Sequence, residues 1–196
     1  MTRRKTWLAA AALSLAAAGM ARAAATVGQA APEFAVKDQD GREVDLAKLR
    51  GKIVVLEWTN PDCPFVQRHY RAKTMSTLAD RFKDQDVVWL AVNSTNYMDA
   101  ATDRAWRTQQ GLSYPILDDR AGTVGGAYGA KTTPHMFVID KAGTVVYEGA
   151  IDDDAAGASE GSARNYVAEA LDDVTTGKPV RVAETKPYGC SVKYAK

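Results

Sequence analysis

Continuous apolar runs alternate along this chain with segments whose apolar residues are spaced as on one face of a helix. Residues 53–56 (Ile-Val-Val-Leu) and 86–92 (Asp-Val-Val-Trp-Leu-Ala-Val) predict buried strands. Residues 135–139 and 144–147 flank the turn sequence Asp-Lys-Ala-Gly and predict a hairpin. The hydrophobic pattern therefore predicts a sheet with at least one antiparallel pair.

Helical spacing is clearest between the first two of these strands, where residues 64–82 predict a single helix. Residues 99–110 predict a second helix, which a glycine ends. A last helix is predicted to run to about Thr175, with Ser159 or Ser162 as its N-cap. Strands that alternate with helices predict an α/β sandwich. A short N-terminal hairpin is also predicted across an Asp-Gly turn.

The first 23 residues have the composition of an export signal. Arg3-Arg4-Lys5 precedes an alanine-rich apolar run over residues 8–19, and Ala21-Arg22-Ala23 offers a cleavage site. The apolar run is too short for an ordinary membrane-spanning helix. We expect cleavage after residue 23, export to a bacterial periplasm, and one mature domain over residues 24–196 that is not associated with the membrane.

Removal of this segment changes the charge of the protein. Four of the 25 basic residues and none of the 24 acidic residues lie in residues 1–23, so residues 24–196 carry a net charge of −3. This charge gives no reason to expect nucleic acid or an anionic membrane surface as a partner.

The candidate chemistry centres on Cys63, one of two cysteines in the chain. It lies between a predicted core strand and a predicted helix, and Pro64 follows it. Because proline favours the first helical turn, Cys63 is predicted at the N-cap. There the helix dipole and the free backbone N–H groups favour the reactive thiolate. The alternative is a small, inert core residue.

Four segments, in their order and spacing, resemble the thioredoxin superfamily in its peroxiredoxin-like (redoxin) branch. They are the Gly-Gln-Ala-Ala-Pro-Glu-Phe opening at residues 28–34, Glu57 six residues before Cys63, Thr133-Pro134 with the strand after it, and Gly-Cys-Ser-Val-Lys at residues 189–193. The resemblance extends from residue 28 to about residue 170. It implies a thioredoxin-like three-layer α/β/α sandwich with a mixed central sheet and an N-terminal hairpin.

The resemblance also implies catalytic roles. Cys63 is the expected nucleophile, and Cys190, in the tail of residues 180–196, is the candidate resolving thiol. Glu57 is the expected proton acceptor, because burial among Val, Leu and Trp raises the pKa of a carboxyl group towards neutrality. The alternative for Glu57 is a carboxylate that reaches solvent or pairs with a lysine.

Four further residues are expected to contact the substrate. The Thr133-Pro134 backbone, with a cis peptide bond, is the expected substrate ledge beside the active cysteine. Asn60 and Pro64 flank Cys63 and complete the predicted substrate-binding set. The alternative for Pro134 is an ordinary trans proline at the start of a strand.

Departures from the family pattern bear on the reaction. Val66 replaces the second cysteine of a Cys-x-x-Cys pair, so any intramolecular partner of Cys63 is Cys190. In peroxiredoxins a threonine or serine and an arginine orient the peroxide; at the corresponding positions this chain has Asn60 and Pro134. Efficient peroxide reduction would therefore need Asn60 or Arg68 to take over this orienting role. Disulfide exchange is therefore predicted to outrun peroxide reduction.

The prediction is a secreted thiol-disulfide oxidoreductase without a metal or another cofactor. Its expected partners are a protein thiol or disulfide, a small disulfide or a hydroperoxide, together with an unidentified reductant. One alternative is a dedicated thiol peroxidase. Another is a redox-inert binding module in which Cys63 and Cys190 form a permanent disulfide. Neither His69 nor His135 has a spacing that predicts a role.

Overall fold

The computed structural model describes residues 24–159 and 161–195, and the signal-peptide prediction for residues 1–23 lies outside this part of the chain. The strands are β1 Ala35–Lys37, β2 Glu43–Asp45, β3 Ile53–Trp58, β4 Val87–Asn93, β5 Ile116–Asp118, β6 Thr132–Thr133, β7 His135–Ile139, β8 Val145–Gly149 and β9 Cys190–Ser191. The helices are α1 Pro64–Arg71, α2 Thr74–Phe82, α3 Ala100–Gln110, α4 Thr123–Tyr128 and α5 Tyr166–Thr175, with a 3₁₀ turn at Leu46–Leu49.

The central sheet is mixed and has five strands in the order β5-β4-β3-β7-β8. β3 pairs parallel with β4 and antiparallel with β7, and it is buried along its whole length. Its continuous apolar sequence follows from this central position, since both faces are covered. The predicted α/β fold with a mixed sheet and an N-terminal hairpin (β1–β2) is confirmed.

Two cores lie on the two faces of the sheet. One face packs against α1, α2, α3 and α5, and its buried residues include Val55, Met75, Phe82 and Leu171. The thinner opposite layer contains α4, the 3₁₀ turn and the N-terminal hairpin. Cys63 belongs to the first core, so the site is built on the face with more helices.

The prediction of one helix over residues 64–82 is wrong. The segment divides into α1 and α2 at Lys73, which has a left-handed backbone with φ 56°. The N–H groups of Ala72 and Lys73 donate to carbonyls of the last turn of α1 and close that helix. Both helices face the same core, so the apolar spacing continues across the break.

The N-cap predicted for the last helix is also wrong. Asn165, and neither Ser159 nor Ser162, caps α5, and its side chain accepts a hydrogen bond from the N–H of Ala168. The preceding residues are held as a loop instead, because the Asp154 carboxylate accepts hydrogen bonds from the N–H groups of residues 158 and 159.

The C-terminal tail, residues 180–195, crosses one end of the sheet and does not form a further layer. Near its start, Thr185 donates its N–H to the Glu148 carbonyl on β8, at 3.0 Å. Near its end, the Tyr194 hydroxyl donates to the Ala130 carbonyl at 2.9 Å. Between these anchors the tail forms β9, which pairs with β6.

Candidate functional site

Cys63 is the N-cap of α1 and Pro64 is the first residue of that helix, as predicted. The chain leaves the buried end of β3 and turns at residues 59–62, so the cysteine is held between the central strand and the helix. The Cys63 side chain is only 1% exposed, whereas Pro64 is exposed on the outer side of the turn.

The predicted ledge lies directly against this sulfur. The Thr133–Pro134 peptide bond is cis, as expected. Cys63 Sγ donates to the Thr133 carbonyl at 3.0 Å. The hydroxyl of Thr133 is buried and has no hydrogen bond to another polar group in the described part of the chain. It is therefore available to the Cys63 sulfur and acts to lower the pKa of that thiol.

The tail brings the second cysteine to the same ledge. β9 runs antiparallel to β6, with Cys190 opposite Thr133 and Ser191 opposite Thr132. The Cys190 thiol lies close enough to Cys63 for each thiol to shift the pKa of the other, and both residues are free thiols. Cys63 and Cys190 are 127 positions apart in sequence, and the pairing of the two short strands β6 and β9 brings them together.

The two thiols have opposite pKa shifts. Burial has the largest effect on Cys63 and acts to raise its pKa, but hydrogen bonds from Cys190, Thr133 and the N–H of Val66 outweigh it, so the pKa lies below its ordinary value. Burial, and then the neighbouring Cys63, raise the pKa of Cys190 to about 11. The Cys63 thiol therefore ionises before the Cys190 thiol.

Glu57 is fully buried on β3, and its described hydrogen bonds go to side chains other than the two cysteines. Its carboxylate oxygens accept hydrogen bonds from the Tyr70 hydroxyl at 2.7 Å and from the Trp89 indole N–H at 2.9 Å. The Tyr114 hydroxyl lies 3.5 Å away. Burial raises the pKa of Glu57 to about 7, although these hydrogen bonds act to lower it.

This raised pKa predicts a specific pH dependence of stability. Folded protein binds the Glu57 proton more tightly than unfolded protein, so the stabilisation is present below pH 4.5 and is lost as the pH rises towards 7. Over this range we expect the free energy of unfolding of the wild type to fall by about 3 kcal/mol more than that of Glu57→Gln, which stays neutral. Urea denaturation of both proteins between pH 4.5 and pH 8 measures the difference. The exposed Glu184→Gln is the control and should keep the wild-type profile; parallel curves for wild type and Glu57→Gln would contradict the assignment.

Asn60 and Arg68 are engaged in structural contacts. Asn60 is buried, and its side-chain oxygen accepts the N–H of Asp62 at 2.8 Å within the turn. The Arg68 guanidinium donates to the Asp154 carbonyl at 2.7 Å and to the Tyr188 hydroxyl at 3.2 Å. Neither side chain reaches Cys63 through a described hydrogen bond.

Sequence reasoning did not single out Tyr188 and gave Gly189 no part in placing the cysteine, yet both residues fix the position of Cys190. The Tyr188 hydroxyl bonds to His69, which lies on α1, at 3.0 Å. A Cβ atom at Gly189 would lie 2.1 Å from the Thr133 carbonyl oxygen. The feature of the sequence that could have indicated their role is their position immediately before Cys190 in a turn-rich tail.

His135 is buried with a pKa lowered to about 4 by burial, and it lies beside Phe137.

A thiolate-favouring cysteine at a helix N-terminus, faced by a cis-proline ledge and a second thiol, defines a thiol-based redox protein of thioredoxin-like fold. Residues 27–148 match the model of the AhpC/TSA family, and the chain belongs to that family. It is a thiol-based oxidoreductase. Cys190 lies outside the matched residues.

Similar proteins agree with this placement. The chain is 31% identical over 123 residues to the thiol-disulfide oxidoreductase ResA of Bacillus anthracis, covering 61% of this chain and 67% of that protein. An uncharacterised conserved protein from Geobacillus kaustophilus has a structure with a TM-score of 0.78 at 27% identity, over 87% of this chain and 93% of that one. The thioredoxin domain of a thiol-disulfide oxidoreductase from Bacteroides vulgatus shares the fold, with a TM-score of 0.53 at 20% identity over 63% and 87% of the two chains.

Two searches of the described residues concern metals and membranes. In residues 24–159 and 161–195, no group of three or more His, Cys, Asp and Glu side chains is arranged to hold a metal ion. Over the same residues, no helix has both the length and the apolar character needed to cross a membrane.

Proposed function

We propose that this protein catalyses thiol–disulfide exchange, with Cys63 as the nucleophile and Cys190 as the resolving thiol. The observation that carries the proposal is the pairing of β9 with β6. This pairing sets Cys190 opposite Thr133 and so places the second thiol beside Cys63. The depressed pKa of Cys63 supplies thiolate for the first attack.

The proposed reaction has two balanced steps. The Cys63 thiolate attacks one sulfur of a substrate disulfide, forms a mixed disulfide and releases the other sulfur as a thiolate. Cys190, as its thiolate, then attacks the Cys63 sulfur, which forms the Cys63–Cys190 disulfide and releases the substrate as a dithiol. An external thiol reductant restores the starting dithiol. In the reverse direction the same steps oxidise a substrate dithiol.

The electrostatics of the pair support this order of events. Cys63 is one of the groups that raise the pKa of Cys190. Once Cys63 is in a mixed disulfide it carries no charge, so this contribution is removed and Cys190 ionises more readily. The resolving thiol is thus activated by completion of the first step.

Glu57 is proposed as the proton acceptor on the strength of its pKa near 7. Its carboxylate accepts hydrogen bonds from the Tyr70 hydroxyl and the Trp89 indole N–H, so the proposed role needs the proton to arrive through the Tyr70 hydroxyl rather than directly from a sulfur. Loss of the corresponding inflection from the pH–rate profile in Glu57→Gln, with Cys63 still reactive, is the expected sign of this role.

Peroxide reduction is the second candidate, and the contacts around Cys63 make it the weaker one. Asn60 is bonded within its own turn, Arg68 is bonded to Asp154 and Tyr188, and Pro134 has no side-chain donor. Among the described residues, neither Asn60 nor Arg68 is therefore placed to polarise the O–O bond of a peroxide at Cys63.

This ranking is tested by comparing two oxidants. We expect the reduced protein to react faster with a small disulfide than with hydrogen peroxide at equal concentration, with both reactions lost in Cys63→Ser. Stopped-flow tryptophan fluorescence follows both oxidations. Rapid, saturating oxidation by peroxide alone would reverse the order and support the peroxidase.

The proposed setting is the periplasm, reached by cleavage of residues 1–23. The composition of those residues and the net charge of −3 on the remainder support a freely diffusing protein that uses neither nucleic acid nor a membrane as partner. Its proposed partners are protein or small-molecule thiols and disulfides, with a separate reductant. Detection of the unprocessed N-terminus in periplasmic material would contradict the cleavage.

A further inference from the structure

The side chain of Tyr188, two residues before Cys190, lies in a slot formed by Phe65, Arg68, His69 and Asp152, here called the phenol slot. The Tyr188 ring lies 6.0 Å from the Phe65 ring and 6.2 Å from the His69 ring, measured between centroids. The Arg68 guanidinium lies 5.7 Å from the centre of the Tyr188 ring. The slot therefore contacts the ring with aromatic and cationic groups.

The slot also satisfies the hydroxyl of Tyr188 completely. The hydroxyl donates to the Asp152 carboxylate, and it accepts from Arg68 at 3.2 Å and from His69 Nε2 at 3.0 Å. One donated and two accepted hydrogen bonds are the full capacity of a hydroxyl group. A phenylalanine would make none of these three hydrogen bonds and would leave the buried His69 Nε2 without its Tyr188 partner, so the slot selects tyrosine over phenylalanine.

The slot is held in shape by contacts that do not involve the tail. Arg68 donates to the Asp154 carbonyl at 2.7 Å and lies 5.8 Å from the Phe65 ring. The Asp152 carboxylate accepts the N–H of Asp154 at 3.0 Å. His69 and Asp152 are 3% and 7% exposed. The slot should therefore remain formed when Tyr188 leaves it.

The backbone beside the slot imposes a second requirement. A Cβ atom at Gly189 would lie 2.1 Å from the Thr133 carbonyl oxygen and 2.8 Å from its carbon. Only glycine fits between the tyrosine and the cysteine of a strand that lies on this ledge. The tail thus shows which sequence the ledge and the phenol slot accept together: Tyr-Gly-Cys.

A substrate needs the same route to reach Cys63. Cys63 is 1% exposed and lies under β9, so a substrate sulfur bonded to Cys63 takes the place of the Cys190 sulfur. The substrate backbone then lies on Thr133 where the tail lay. Tail and substrate alternate at one site during the proposed exchange.

We propose that the phenol slot is a specificity site for protein substrates, and that the preferred substrate is an extended segment with tyrosine two residues before its reactive cysteine and glycine between them. The tail is the resident ligand of this site. This inference rests on the proposed function of Cys63. The tail of a second copy of the chain has the same chemistry and is one source of such a segment.

The test uses the full chain with Tyr188→Ala and Cys190→Ser, which vacates the slot and stops resolution. Its substrates are peptides with the sequence of residues 186–193, activated at the cysteine as a disulfide with thionitrobenzoate, which is coloured on release. Matched peptides replace the tyrosine by phenylalanine or alanine, or the glycine by alanine. We expect the parent peptide to react with Cys63 at least tenfold faster than the alanine peptides, with the phenylalanine peptide between them.

Two further variants complete the design. Asp152→Ala in the same background should abolish the preference for tyrosine over phenylalanine. Cys190→Ser alone, which keeps Tyr188, should give the same ranking at lower rates, because the tail competes, and it serves if the double variant does not fold.

A small activated disulfide, 5,5′-dithiobis(2-nitrobenzoate), separates this inference from the proposed function. If Cys63 reacts with it and all peptides react at one rate, the specificity site is wrong and the exchange activity stands. If Cys63 reacts with neither, both are wrong. Covalent dimers joined from Cys63 to the Cys190 of a second copy in wild-type protein would identify the tail itself as a substrate.

Discussion

Replacing Cys63 by serine is expected to reduce the rate of disulfide exchange by about a thousandfold or more, since the hydroxyl of serine does not attack a disulfide. Cys190 cannot take over, because burial, the larger cause of its raised pKa, remains after the substitution. The measurement is the initial rate of reduction of a small disulfide, with thermal unfolding as the test of an intact fold.

The matched variant is Cys190→Ser, which keeps the nucleophile and lacks the resolving thiol. We expect it to complete only the first step and to accumulate a mixed disulfide at Cys63, detectable as a mass increase. A single rapid phase followed by slow turnover separates the two roles. Full turnover by Cys63→Ser would contradict the nucleophile, and wild-type turnover by Cys190→Ser would contradict the resolving thiol.

The second large effect is expected from Gly189→Ala. The added Cβ would lie 2.1 Å from the Thr133 carbonyl oxygen and 3.2 Å from the Pro134 nitrogen, and both are backbone atoms that cannot move aside cheaply. The residue also has φ 136°, a conformation that favours glycine. β9 must therefore leave β6, and Cys190 loses its place opposite Thr133.

The expected result is a slower second step, with a first step that is not slowed because the displaced tail no longer competes with the substrate. Backbone strain of this kind costs about 1–3 kcal/mol, so resolution of the Cys63 mixed disulfide should slow by about tenfold to a hundredfold. Rapid quenching and mass measurement follow the mixed disulfide. Gly177→Ala is the control, because that glycine has φ 73° but nothing within 4 Å of the added atom. Equal resolution rates in the two variants would show that β9 does not position Cys190.

The features predicted correctly from sequence are those that local chemistry determines. Pro64 after Cys63 predicts a helix start, and the apolar run before it predicts a central strand; both are confirmed. The cis bond at Thr133-Pro134 was expected from the resemblance to the family and is also confirmed. The burial and raised pKa expected for Glu57 are confirmed, because a carboxyl group in the middle of an apolar strand has no route to solvent.

The errors have tertiary causes. The break at Lys73 carries no glycine or proline, and the two helices pack on one face, so the spacing of apolar residues does not reveal it. Ser159 and Ser162 are ordinary N-cap residues, but Asp154 holds that segment in a loop and Asn165 caps the helix.

The path of the tail was also beyond local patterns. The return of Cys190 to Cys63 was proposed from the resemblance and from the absence of a nearer cysteine, whereas the contacts that achieve it join residues more than 50 positions apart in sequence. The role of Tyr188 depends on an aspartate in a loop and on side chains of α1, so no periodic pattern indicates it.

The central claim is that Cys63 and Cys190 form a reversible redox pair. Titration of the full chain against dithiothreitol buffers of graded potential, with acid quenching and peptide mapping, tests it most directly. The account predicts one two-electron transition. Across it, the Cys63 peptide and the Cys190 peptide become joined by a disulfide on oxidation and separate again on reduction. Cys63 oxidised with another partner while Cys190 remains alkylatable would contradict the pair, and a Cys63–Cys190 bond that persists in strongly reducing buffer would show a permanent structural disulfide instead.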